Sequence, residues 1–308
     1  MSKGQYFFSV VIPVHNKKNF LEGSVNAVLS QTFQEFEIIL VDDASSDGSH
    51  EVIAAFSKLP NVRAYKRSEP GPGGYAARNF GVEKSTAKWI CFCDADDLWE
   101  PTHLEKIKQM IDSYKSIKFA TCSFYKEIKA KKIKQKAILR SGLVSRLDSL
   151  NALKYSDFMN MNSVAIKKDF FDKLGGFPAG NFRMGGDVYF WFKCILNSAV
   201  IGYCDIPTST WFCTNSEVAS NKNNLVGVNP VALLEKEQYH MNSNERHAFN
   251  KAVNKRVLAW IFLKAKSGID FSEDIRWLKR SSMSLFDWLK ILRAYFISIK
   301  KLPFFSKT

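Results

Sequence analysis

The sequence predicts an α/β protein: a mostly parallel sheet flanked by helices, with a helical appendage at its C-terminal end. Three observations carry that expectation. Over the first hundred residues, short continuous apolar runs alternate with stretches of helical spacing. Each run ends in a polar cluster or a Gly/Pro-rich loop. Beyond about residue 220 the alternation stops and only helical spacing remains. Strands that are apolar throughout, rather than at every second position, belong to sheets covered on both faces.

Ser9–Ile12 reads as the first strand, stopped by Pro13. Phe20, Leu21, Val25, Val28 and Leu29 then recur at helical spacing. Glu37–Val41 is the second strand, ended by Asp42-Asp43-Ala44-Ser45-Ser46-Asp47-Gly48, and a helix follows around residues 49–58. Val62–Tyr65 is the third strand, EPGPGG (69–74) a loop, and Ala76–Lys84 a helix. Trp89–Cys93 is the fourth strand and runs into Asp94-Ala95-Asp96-Asp97. Pro101 suits the first turn of a helix carrying Leu104, Ile107 and Ile111. Farther on, Gly175-Gly176 read as a helix end, and Phe190, Trp191 and Phe192 share core spacing with Ile195. Helical spacing returns at Leu233 and Leu234 and again at Val257, Leu258, Trp260 and Ile261.

Composition narrows the class. Of 308 residues, 46% are hydrophobic and 24% charged, which suits a globular chain and not a disordered one. The net charge is +14, and it is concentrated. Residues 115–140 carry nine basic residues against Glu127, residues 276–308 carry eight against Asp287, and the remainder is close to neutral. No run of eighteen apolar residues reads as a membrane span, and MSKGQYFF has no signal-peptide cleavage pattern. Six scattered cysteines, without metal-type spacing, suit a reducing cytoplasmic setting, with Cys91 and Cys93 as small buried apolar groups.

In parallel α/β sheets, ligands bind beyond the carboxyl ends of the strands. Pro13–Asn16, Asp42–Asp47 and Asp94–Asp97 all fall at such ends. Loops rich in carboxylates do not cradle a bare phosphate. They suit a divalent cation, Mn²⁺ or Mg²⁺, bridging the protein to a diphosphate through hard oxygen ligands.

The ordered series VVIPVHN (10–16), LSQTFQEFEIILVDDASSDGS (29–49), GGYAARNFGV (73–82), CDADDLWEP (93–101), FDKLGGF (171–177) and GGDVYFWFK (185–193) resembles the family 2 glycosyltransferases of the GT-A fold, over roughly residues 7–215. The resemblance implies an inverting transfer of a sugar from a nucleotide-diphosphate sugar to an acceptor hydroxyl. It implies that Pro13, His15 and Asn16 line the nucleoside pocket and that Asp43 takes the base N–H, which makes a UDP-sugar the first expectation. Arg78 matches a basic residue near the diphosphate. Asp94-Ala95-Asp96 matches the DxD motif, Asp94 approaching the ribose or metal and Asp96 ligating the metal. Asp187 matches the catalytic base. The implied organisation is a glycosyltransferase domain over residues 1–220, with a nucleotide-binding half to residue 100 and an acceptor half beyond it, then a helical region over 221–308.

The chemistry asks for those residue types independently. A metal neutralises the departing diphosphate, and a separate carboxylate takes the proton of the attacking hydroxyl. Asp47 and Ser49 keep the simpler reading of a turn and helix cap. Asn160, Asn162 and Ser163 stand where the family often shapes its acceptor pocket; a polar strand edge accounts for them equally well.

Three departures from the family pattern stand out. Pro70, Gly71 and Pro72 replace the polar residue that often precedes the GG-x-x-AARN stretch; Gly186 stands where an acid usually precedes the base; and Trp211-Phe212-Cys213-Thr214-Asn215 lacks a histidine that often helps hold the metal. Metal held by Asp96 and the diphosphate alone should bind weakly without donor.

Residues 283–299 form an apolar and aromatic helical pattern with Asp287, Lys290 and Arg293 three apart, followed by Lys300 and Lys301. That pattern suits an anionic membrane surface or, alternatively, a C-terminal helix docked on its own domain with a solvated basic face; the lysine run 126–136 suits the same membrane surface or a solvated hairpin. The expected setting is therefore the inner face of a membrane, with a glycan or lipid-linked acceptor in surface polysaccharide or lipopolysaccharide assembly. The competing classes are an inactive nucleotide-sugar binder and a basic nucleic-acid-binding protein. No DNA- or RNA-binding motif accompanies the basic patches, so nucleic acid is not expected as a partner.

Overall fold

A computed structural model describes residues 6–180, 182–213 and 222–299. Its centre is one ten-stranded sheet in the order β3-β2-β1-β4-β9-β6-β10-β5, with β7 on β6 and β8 on β10. The strands are β1 (Phe8–Val14), β2 (Phe36–Asp43), β3 (Val62–Arg67), β4 (Trp89–Phe92), β5 (Leu98–Trp99), β6 (Phe119–Ile128), β7 (Lys131–Lys134), β8 (Gly142–Ser145), β9 (Val164–Lys167) and β10 (Val200–Phe212). β3, β2, β1 and β4 are mutually parallel; the far half is mixed, with β9 antiparallel between β4 and β6. The lysine run forms the antiparallel β6–β7 hairpin, turned through Lys129 and Ala130 with positive φ and exposed along β7.

Both faces are covered, as continuous apolar strands require. Phe8, Val10, Ile12 and Val14 of β1 pack into one core with Leu21, Val25 and Val28 of α1 (Lys18–Leu29) and with Leu104 and Ile107 of α4 (His103–Ser113). Val11, between them, faces the other core. There it meets α3 (Tyr75–Lys84), where Gly81 lies so close that an added Cβ would stand 2.4 Å from Val11 Cγ1. α2 (Ser49–Phe56), α5 (Arg146–Leu153), α6 (Lys168–Lys173) and α7 (Gly186–Leu196) complete the flanks. Phe190, Trp191 and Phe192 of α7 are buried, and Gly175 and Gly176 close α6 with positive φ. Cys91 and Cys93 lie buried together in the α1/α4 core.

Two local expectations shift. Pro13 does not stop β1, which pairs with β2 through Val14. The last rung toward β4 is the Cys93 N–H on the Val11 carbonyl. Pro13, two residues on, faces that same edge, where no N–H is needed. Pro101 lies one residue before the cap Thr102 of α4 and outside the helix, and its carbonyl accepts the Thr32 N–H. Glu37, at the start of β2, is buried. Burial raises its pKa, but hydrogen bonds from Ser9 and Thr86 and the charge of Arg63 outweigh this and hold it below its ordinary value.

The C-terminal helices share the second core. α8 (Ser243–Ser267) begins with a capping box between Asn242 and Glu245 and buries Ala252, Val257 and Ile261 beside residues of α5 and α7. After the single turn α9 (Ser272–Ile275), α10 (Leu285–Ile299) docks on α8 through Ile291 and Ala294.

Candidate active site

The carboxyl ends of β1, β2 and β4 open side by side, and the loops leaving them build a cavity of about 230 Å³. Its wall includes Pro13, His15, Asp43, Arg78, Asp94, Ala95 and Asp96, each singled out by the sequence. Asn16 is outside that wall. It adopts a left-handed backbone (φ 52°), and its carboxamide oxygen accepts the Ser46 N–H at 2.8 Å. Asn16 therefore ties the β1 loop to the β2 loop, and the His15 ring, 2.7 Å from the Asp43 carbonyl, makes a second tie. The N-cap of α2 is Gly48, but Asp47 and Ser49 satisfy first-turn donors: Asp47 accepts from the Ser49 N–H and, at the start of α1, from the Lys18 N–H, both at 2.9 Å, and the Ser49 hydroxyl accepts the Lys17 N–H at 3.0 Å. Burial opposes ionisation of Asp47, but the hydrogen bonds from Ser49 and Lys18 hold it down at about 2.

Asp43 is 2% exposed, and both its oxygens have partners: the Arg67 guanidinium and the Gly71 N–H at 3.0 Å. Its tie to Gly71 fixes the glycine loop that the Pro-Gly-Pro departure left open. Gly73 and Gly74 line the same cavity, and the Arg78 guanidinium reaches back from α3 to the Gly73 carbonyl at 2.9 Å and to the Asp94 carboxylate. Burial lowers the Arg78 pKa, yet the charge of Asp94 more than compensates, so this guanidinium stays fully charged.

The Asp94–Asp97 turn is held from behind by Asn162. Its carbonyl oxygen accepts the Asp94 N–H at 2.6 Å and its NH₂ donates to Asp97 at 2.5 Å. Asp97 also accepts the Phe212 N–H at 2.8 Å, so it staples the end of β10 to the turn. Burial, then the charges of Asp94 and Asp96, raises its pKa well above the ordinary carboxylate value. Neither Asp96 nor Asp97 caps α4, whose N-cap Thr102 makes no side-chain cap bond. Asp96 meets the Lys17 ammonium at 3.0 Å. Burial and the neighbouring Asp94 raise its pKa, and Lys17 partly offsets them.

A second cavity, of about 330 Å³, shares Gly73, Arg78, Asp94 and Trp211 with the first and adds Asp187. Asp187 is in the first turn of α7, behind the left-handed Gly185. Burial raises its pKa against the opposing pull of the helix N-terminus and Arg78. Gly186 departs from the family pattern for a visible reason: an added Cβ would lie 2.8 Å from Tyr75 Cε2 and 3.1 Å from Pro178 Cγ. The Tyr75 ring takes that space, and its hydroxyl oxygen accepts the Gly186 N–H at 2.9 Å. Asn160 lines this cavity with both side-chain polar atoms buried and without a hydrogen-bond partner among the described residues.

Sequence reasoning missed Lys17, Arg67, Tyr75 and Trp211, and left Asn162 undecided. Lys17 stands next to a motif residue, but nothing in the sequence pairs it with Asp96. Among the described residues no three His, Cys, Asp or Glu groups cluster to hold a metal. The donor set fits a hard divalent cation only as one or two carboxylates, Asp96 and Asp94, completed by phosphate oxygens and water. Trp211 occupies the wall where the family histidine was sought; Thr214 and Asn215 lie outside the described residues.

Known proteins resemble the chain in sequence and in fold. The family described as glycosyl transferase family 2 matches residues 9–175, more than half of the chain. The putative teichuronic acid biosynthesis glycosyltransferase TuaG of Bacillus subtilis is 31% identical over 34% of this chain and 42% of its own length. The succinoglycan biosynthesis protein ExoW of Rhizobium meliloti is 29% identical over 64% of this chain and 66% of its own. An uncharacterized glycosyltransferase of Rickettsia bellii is 38% identical, but over only 14% of its own length. Thus the match spans less than half of TuaG and a small part of the Rickettsia protein. In structure, S. aureus TarS 1–349 in complex with UDP-GlcNAc superposes with TM-score 0.73 at 15% identity, covering 95% of this chain and 90% of that one. The mannosyltransferase PcManGT of Pyrobaculum calidifontis, in complex with GDP-Man and Mn²⁺, gives 0.61 at 15% identity, covering 98% and 83%. At that identity the likeness establishes the GT-A-type α/β fold alone.

Proposed function

The chain belongs to glycosyl transferase family 2, and from that premise we propose that it transfers a sugar, with inversion, from a nucleotide-diphosphate sugar to an acceptor hydroxyl. One observation carries the reading: two adjoining cavities share a wall of Gly73, Arg78, Asp94 and Trp211, one holding Asp43 and Asp96 and the other Asp187. The first takes the nucleotide, with Asp43 accepting from the base, Pro13 and His15 lining the nucleoside, and Arg78 and the glycine loop beside the diphosphate. The donor sugar then points through the shared wall. Asp187 removes the proton from the acceptor hydroxyl as that oxygen attacks the anomeric carbon, and the bond to the diphosphate breaks on the opposite face. Trp211 closes the wall between the cavities and keeps water off the anomeric carbon. Mn²⁺ or Mg²⁺ held by Asp96 and Asp94 would neutralise charge on the leaving diphosphate.

The donor reading is tested by a thermal-shift screen of nucleotide sugars with Mn²⁺, because a ligand bound to the native state raises the melting temperature. We expect a UDP-sugar to give the largest shift and to be turned over. No shift and no hydrolysis with any nucleotide sugar would overturn the reading. Mn²⁺ alone should give almost no shift, since Lys17 already pairs with Asp96 and the protein offers so few ligands. Tight calorimetric Mn²⁺ binding to nucleotide-free protein would contradict that expectation.

The proposed acceptor is a glycan or lipid-linked sugar in polysaccharide assembly, reached from a membrane surface. No helix among the described residues is long and apolar enough to cross a membrane. α10, however, exposes Leu285, Leu289, Leu292, Phe296 and Ile299 in one stripe on the side away from Ile291 and Ala294, and Phe286 beside it is 74% exposed. Arg293 and Lys290 both fall on one side of the stripe, Arg293 over the Phe262 ring at 5.6 Å and Lys290 paired with Asp287 at 3.1 Å, while Lys300 and Lys301 lie outside the described residues. An apolar stripe edged by cations fits an anionic bilayer interface. Deleting residues 281–308 should release the protein from anionic liposomes; unchanged co-sedimentation would remove the membrane from the proposal.

A further inference from the structure

The second cavity has a cationic side that proton abstraction does not require. Lys126 of β6 and Asp157 line it together with Asp187. Asp157 is already engaged: Arg256 Nη1 donates to it at 2.8 Å, and Lys255 Nζ stands 3.8 Å away. Lys126 has no carboxylate partner among the described residues. Its ammonium lies over the rings of Trp211, at 5.5 Å, and Phe124, at 5.9 Å. Glu127, the next residue on β6, points to the other side of the strand. The lining also holds the carboxylates of Asp94 and Asp187 and the Arg78 guanidinium, so the excess of positive charge is local to the Lys126 side, where Lys255 and Arg256 approach through Asp157.

The surrounding helices deepen the imbalance. Lys251 and Lys255 are a like-charge i,i+4 pair on α8, a spacing that weakens an isolated helix. Lys154, at the end of α5, has its pKa lowered by burial and by Lys251. Lys255 is brought down to about 8 by burial and by the charge of Lys126, and burial brings Arg256 to about 10. Asp157 and the Leu153 carbonyl, which accepts from Lys255 at 3.2 Å, offset part of this charge, and an anion between Lys126 and Lys255 would offset more.

We propose that the acceptor carries a phosphate group that seats on Lys126 and Lys255, with Arg256 and Asp157 fixing the position of Lys255. The inference rests on the reading of this cavity as the acceptor half of a glycosyltransferase. Lysines bind phosphate as point charges, and a run of cations from Lys126 through Lys255 to Lys251 and Lys154 suits an acceptor with more than one anionic centre. Arg78, in the shared wall and paired with Asp94, is assigned to the donor diphosphate, so this cluster would give the acceptor its own charge contact.

Two sources carry this chemistry: a polyprenyl diphosphate-linked sugar and a phosphodiester-linked polymer. The test is calorimetric titration of the full chain, with the nucleoside diphosphate that binds most tightly present at saturation. The probes are a short-chain isoprenyl diphosphate-linked monosaccharide and a glycerol phosphate trimer, each beside its dephosphorylated counterpart. At least one phosphate probe should bind tenfold or more tightly than its neutral counterpart, with the preference shrinking between 50 mM and 200 mM salt. The isoprenyl probe winning assigns a lipid-linked acceptor, and the trimer winning assigns a polymer.

Lys126→Gln with Lys255→Gln should erase the preference while nucleotide affinity stays within twofold and the melting temperature is retained. Lys126→Arg should keep the preference. Equal binding of phosphate and neutral probes, or a preference that survives the double substitution, overturns the inference. If no nucleoside diphosphate binds, the glycosyltransferase reading falls instead; the same titrations without nucleotide still report on the cation cluster.

Discussion

Asp187→Asn is expected to cut sugar transfer by on the order of 10²–10⁴-fold, the range for removing a positioned general base. Nucleotide-sugar binding should stay within a fewfold of wild type, because Asp187 lies in the second cavity and Asp43 and Asp96 in the first. The substitution is nearly isosteric, and it leaves the start of α7 free to keep its hydrogen bond to Tyr75. The pH profile adds a separate readout. Burial raises the Asp187 pKa, so the active, ionised form is lost as pH falls through a value above that of an ordinary aspartate. The acid limb of kcat/KM should reflect that raised value, and Asp187→Asn should remove the limb along with the rate. Transfer within tenfold of wild type in the variant would assign the base elsewhere.

Gly186→Asp, which would restore the residue the family usually carries there, should do harm. Its Cβ would press on the Tyr75 ring at 2.8 and 2.9 Å and on Pro178 at 3.1 Å, and both neighbours are packed in place. Overpacking of that kind costs about 1–3 kcal/mol, which corresponds to a melting temperature lower by roughly 2–6 °C. The displaced first turn of α7 carries Asp187, so kcat should fall by about tenfold or more as the base leaves attack geometry. Combined with Tyr75→Ala, which removes the clashing ring but also a buried aromatic and its hydrogen bond, the change should lower the melting temperature by less than the sum of the two single substitutions. A Gly186→Asp protein as stable and active as wild type would show that Tyr75 does not exclude a side chain there.

Much of the fold is legible in the chain because burial on both sheet faces writes the inner parallel strands as nearly unbroken apolar runs, whereas the edge strand β3 is half exposed. β1, β2 and β4 carry that signature, and the aspartates follow directly where the runs end. Pro13 misleads at that level: whether a proline can remain in a strand depends on which neighbour has already ended, a property of the sheet and not of the segment. Gly186 is similar, since its reason is the ring of Tyr75, more than a hundred residues earlier in the chain. Lys17 and Arg67 were invisible because charged side chains near loops are common, and only tertiary proximity selects the ones that meet Asp96 and Asp43. The cations of the second cavity escaped for the same reason. Lys126 belongs to a lysine run that reads as a solvated hairpin or a membrane-facing patch, while Lys255 and Arg256 sit on a helix beyond the last motif.

Asn162 holds the Asp94 backbone with one end of its amide and the Asp97 carboxylate with the other. The turn bearing the aspartates is thereby ordered when the chain folds, before any ligand arrives. Ordering a loop at the moment of binding subtracts from affinity. Here that entropy has already been surrendered, and the proposed nucleotide-sugar donor would meet a rigid rim in place of a searching one.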